Sequence, residues 1–114
     1  MPAREIPPPQ WPSFLGNFGF RHFGWNVTLQ QESCGRGKHC AANHSFLEEL
    51  TADVTDGHQQ ITIVLGTPFR PFHTHVVSNP RRVRVVAGAQ PALEIESADG
   101  STVVVNLHRY DGDI

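Results

Sequence analysis

From Trp25 onward the apolar residues of this chain recur at every second position, and that period limits what it can fold into. Val27 and Leu29 alternate with Thr28 and Gln30, and Leu93 and Ile95 alternate with Glu94 and Glu96. Ile61, Ile63 and Leu65 share one parity, as do Val103, Val105 and Leu107. Successive side chains of a strand point to opposite faces, so each run reads as a strand with one face buried. Gly66 and Pro68 break one run, Asn79-Pro80 closes the strand at Phe72 to Ser78, and Ala98-Asp99-Gly100-Ser101 has hairpin-turn chemistry. Links this short favour antiparallel neighbours.

The start of the chain has a different period. Trp11, Phe14, Leu15 and Phe18 fall at i, i+3, i+4 and i+7, one face of a helix, with Pro12 tolerable in its first turn. Gly16 and Gly19 weaken it, so it needs packing on its aromatic face, and it is expected to end between Gly19 and Gly24. The expected fold is α+β, mainly β: this N-terminal amphipathic helix packed on a curled antiparallel sheet, or a small partly open barrel, of about six or seven short strands. Residues 1–114 are read as one domain, with 1–8 an extended N-terminal segment and 109–114 a frayed tail. In SFLEELTADVTDG, one helical turn is expected near Leu47 to Leu50, then a loop through Asp56-Gly57.

The chain of 114 residues carries nine Lys plus Arg against eleven Asp plus Glu, a net charge of -2 that argues against a nucleic-acid partner. No apolar run reaches membrane-spanning length, and MPAREIPPPQ lacks the apolar core of a secretory signal. The expected compartment is therefore the cytoplasm, where Cys34 and Cys40 rest as thiols.

Several stretches resemble a bacterial family of unknown function, the domain-of-unknown-function family numbered 5335. They are IPPPQWPSFL, GWNVTL, LTADV, ITIVLG, THVVSNPRRVRV and LEIESADGSTVV, in that order over nearly the whole chain. The resemblance implies a compact helix-plus-sheet domain and carries no activity, substrate or catalytic residue. The chain departs from the family pattern at SCGRGKHCAANHSF, so chemistry assigned there would be its own.

Four groups of residues invite a chemical reading. Cys34 and Cys40 flank a turn at Gly35 and Gly37, where a hairpin would set them near each other as a reversible disulfide; two ordinary thiols is the simpler reading. Cys34, His39, Cys40 and His44 are zinc-ligand types at spacings that common zinc motifs do not use. His73 and His75, two apart on a strand, share a face and could bind a metal, but a third ligand is not identifiable and satisfied polar side chains are the simpler reading. Arg81, Arg82 and Arg84 form a basic strand that Glu94 and Glu96 would neutralise if the two strands pair. A resemblance to Sm-like nucleic-acid-binding barrels is analogy of fold alone. No nucleophile elbow, phosphate-cradling glycine loop or catalytic carboxylate pair is recognisable, and no cofactor is implied. The leading expectation is a non-catalytic cytoplasmic domain that binds a partner or forms a homo-oligomer.

Overall fold

The computed structural model describes residues 3–33, 37–55, 57–66, 73–88 and 90–108, with backbone alone for 33, 37–44 and 55. The alternating runs become strands, and the i, i+3, i+4 stretch becomes a helix. In chain order they are β1 (Arg4–Ile6), a short 3-10 turn (Pro8–Gln10), α1 (Trp11–Arg21), β2 (Asn26–Ser33), β3 (Gly37–Thr55), β4 (His58–Gly66), β5 (His73–Ser78), β6 (Pro80–Val86), β7 (Ala92–Ser97) and β8 (Thr102–His108). All eight strands form one sheet in the order β1-β6-β7-β8-β2-β3-β4-β5, and every neighbouring pair is antiparallel.

Covalent geometry forces this sheet to curl. β5 is one edge and β6 lies next to the other, yet only Asn79 separates Ser78 from Pro80. Consecutive Cα atoms are about 3.8 Å apart, so the two ends of the sheet must meet at this corner. Asn79 takes φ 52°, a left-handed conformation that Asn tolerates better than most residues. Its N–H donates to the Gln59 carbonyl at 3.0 Å, and its own carbonyl accepts from the Ala98 N–H at 2.9 Å. Beyond the corner, no ladder joins β5 to β6 among the described residues, and the sheet stays open.

The concave face carries the core. Leu29, Ile63, Leu65, Val83, Leu93, Ile95, Val105 and Leu107 are completely buried. On the convex face, Arg84 sits opposite Glu94 and Arg82 opposite Glu96, the register expected from their alternation. Their closest N–O distances are 3.5 and 4.0 Å at partly exposed positions, so each pair contributes about 1 kcal/mol or less.

Helix α1 buries Trp11, Leu15, Phe18 and Gly19. It packs on β3, where a Cβ at Gly19 would lie 3.2 Å from the Leu50 nitrogen, so glycine lets the two backbones approach. No helix is long and apolar enough to cross a membrane among the described residues.

Three features differ from expectation. Among the described residues there are eight strands rather than six or seven. The N-terminal segment contributes one of them, with Arg4 opposite Val85 and Ile6 opposite Val83. The segment around Leu47 to Leu50 is strand, not a helical turn, and the strand runs on to Thr55. The cause is a β-bulge. Leu47 pairs with Leu65 and Glu49 with Val64, leaving Glu48 as an extra residue. The bulge shifts parity by one, so Leu47 and Leu50 both face the core although they are three apart.

Candidate functional site

Trp11 positions the site. It starts α1, is 2% exposed, and its indole Nε1–H donates to the Ile6 carbonyl at 2.8 Å. That bond holds β1 beside the helix while β1 pairs with β6. A groove of about 630 Å³ lies between these three elements, lined by Arg4 from β1, Phe14, Phe18 and Arg21 from α1, His22 just beyond it, and Val85, Ala87, Gly88 and Pro91 around the end of β6. The helical period explains the convergence, because positions 14, 18, 21 and 22 repeat every three to four residues along one side of α1.

The rings form a continuous ladder. Phe14 and Phe18 stack with centroids 5.7 Å apart, Phe18 and His22 lie 4.3 Å apart, and His22 meets the edge of Trp25 at 4.7 Å. The Arg4 guanidinium sits 5.6 Å from the Phe14 centroid, within cation–π range. His22 Nδ1 lies 2.8 Å from the Phe18 carbonyl oxygen, which can only accept, so Nδ1 carries a hydrogen. Among the described residues, no carboxylate lines the groove. Two guanidinium groups and a run of aromatic faces can therefore hold an anion against a ring, but they include neither a nucleophile nor a general base paired with one.

Comparison with protein-family models, curated proteins and solved structures finds no match.

The residues singled out in the sequence lie elsewhere. His73 and His75 share the concave face of β5 with Val77, opposite Leu65 and Ile63 on β4. Among the described residues, no third His, Cys, Asp or Glu joins them as a metal-binding group. His75 is half-buried, and its pKa is lowered from 6.5, first by desolvation and then by the charge of His73. The unfolded chain thus binds a proton that the folded protein resists. The contribution of His75 to stability falls as pH drops below about 6.5 and levels off below its folded-state pKa. The difference in stability between wild type and His75→Gln, followed by urea unfolding from pH about 8 to about 5, is expected to move in favour of the variant as pH falls. Parallel pH profiles would contradict this. Cys34 lies outside the described residues, and Cys40 sits on β3 opposite Gln30 with its side chain outside them. The side chains of His39 and His44 are likewise outside them.

Sequence reasoning missed Arg4, Arg21 and His22. The available signal was Arg21 and His22 continuing the aromatic stripe past Phe18. Nothing local could place Arg4 beside them. On the other side of α1, Phe20 is 84% and Phe23 is 61% exposed. They flank a second groove of about 490 Å³ against Glu48 to Thr51 and Val64.

Proposed function

We propose that this protein is a non-catalytic binding domain whose binding site is the groove between β1, α1 and the end of β6. The observation that carries this reading is the lining: two arginines, an imidazole and two phenyl rings, without a carboxylate among the described residues. A pocket of about 300–1,000 Å³ with apolar walls and a few convergent polar groups is the usual form of a small-molecule site. The resemblance to family 5335 adds no activity to this reading.

Titration with anilinonaphthalene sulfonate, followed by amide chemical shifts, tests it. Shifts are expected in Phe14 to His22, in β1 and around Val85 to Pro91. Ala87→Trp, at an exposed position that lines the groove, is expected to abolish them while the protein stays folded. Shifts scattered over the sheet, or unchanged by Ala87→Trp, would contradict the assignment.

Phe20 and Phe23 favour a second reading, association of two copies through the end of α1, because such exposed phenyl rings are commonly covered in an assembly. A light-scattering mass that stays monomeric at all concentrations would remove it.

A further inference from the structure

We infer that the groove selects a small aromatic anion, a planar ring system bearing one carboxylate or phosphate group. This rests on reading the groove as the binding site. Arg4 and Arg21 come from separate elements and line the same groove. Among the described residues, neither is in an ion pair, whereas Arg82 and Arg84 are paired with Glu96 and Glu94. Two guanidinium groups outside any ion pair among the described residues therefore meet where β1 approaches α1, in a chain whose net charge is -2. A guanidinium presents a planar fork of donors that matches a carboxylate or phosphate with two parallel hydrogen bonds.

The aromatic part of the ligand follows from the ladder. Phe14 is partly exposed along the groove with the buried Phe18 stacked behind it, and Arg4 lies at the Phe14 end of the stack. A ring slotted beside them would bring its anionic substituent within the reach of Arg4. Size agrees with this. A groove of about 630 Å³ is far larger than a bare phosphate needs, and it is of the order that holds a single compact organic molecule. The mouth is also clear of side chains at Gly88, where φ is 141° and an added Cβ would touch nothing within 4 Å. The positive φ favours glycine at that position, so no side chain projects there.

Calorimetric titration of the full chain with four probes tests the class: naphthoate, naphthyl phosphate, naphthalenemethanol and inorganic phosphate. Naphthoate or naphthyl phosphate is expected to bind one per chain, and the tighter of the two identifies the anionic group. The alcohol and inorganic phosphate should each bind weaker by about tenfold or more. Arg4→Gln and Arg21→Gln should each weaken the aromatic anion by about tenfold and leave the alcohol unchanged. If the alcohol binds as tightly as the anions, the ligand class is wrong while the groove stands as a binding site. If inorganic phosphate binds as tightly as naphthyl phosphate, the rings play no part and the class is again wrong. If no probe binds, the class and the proposed function fall together.

Discussion

Val105→Lys is expected to unfold this protein or bring it close to unfolding, while Val104→Lys, one residue away, is expected to leave it folded. The two valines differ only in parity. Val105 is completely buried on the concave face of β8, between Leu29 on β2 and Leu93 on β7. An ammonium there has no partner, and an uncompensated buried charge costs about 3–5 kcal/mol. A domain of this size has only about 5–15 kcal/mol of stability, so most of that margin is removed. Val104 points the other way and sits opposite Glu94 on β7. Lysine at 104 would face a carboxylate across the strands, an arrangement that contributes about 0.2–1 kcal/mol. Urea midpoints and far-ultraviolet circular dichroism of the two variants separate these outcomes. Equal losses would mean that β8 does not have the two faces described.

Most of the strands were legible in the sequence because they have one wet side. Leu93 and Ile95 with Glu94 and Glu96, or Val83 and Val85 with Arg82 and Arg84, leave little room for another reading, and the same parity set the Arg–Glu register correctly. The segment at Leu47 to Leu50 misled for a physical reason. An extra residue at Glu48 makes two inward positions fall three apart, which is also the spacing of a helical face. β1 was illegible because three residues before a proline run show no period, and what makes them a strand is an edge of β6 far along the chain. The candidate groove was hidden for the same reason. Its α1 side could be read from the stripe Phe14, Phe18, Arg21 and His22, but Arg4 joins it only through long-range pairing. His73 and His75 were rightly placed on one face, but the third ligand that would make them a site depends on strand order, which local pattern does not encode.

Trp11→Ala is the second large effect expected, at about 3–5 kcal/mol, the usual cost of emptying a buried tryptophan site. Its consequence for function is more specific. The indole holds β1 by its bond to the Ile6 carbonyl, and β1 is what carries Arg4 to the groove. Trp11→Phe keeps most of the ring packing and removes only the donor, leaving a buried carbonyl unpaired at a cost of about 1–3 kcal/mol. This milder variant should stay folded and weaken naphthoate about as much as Arg4→Gln does. If it loses stability but keeps full affinity, Arg4 does not depend on the Trp11 bond.

The proposed site depends on the N-terminal strand lying against β6, because that pairing brings Arg4 and Arg21 to one groove. Nuclear Overhauser contacts in the wild-type protein measure it directly. Backbone contacts are expected between Arg4 and Val85 and between Ile6 and Val83, as strong as those between Val85 and Leu93 across the neighbouring pair. A spectrum that shows the β6–β7 contacts in full and none from Arg4 or Ile6 to β6 would contradict it.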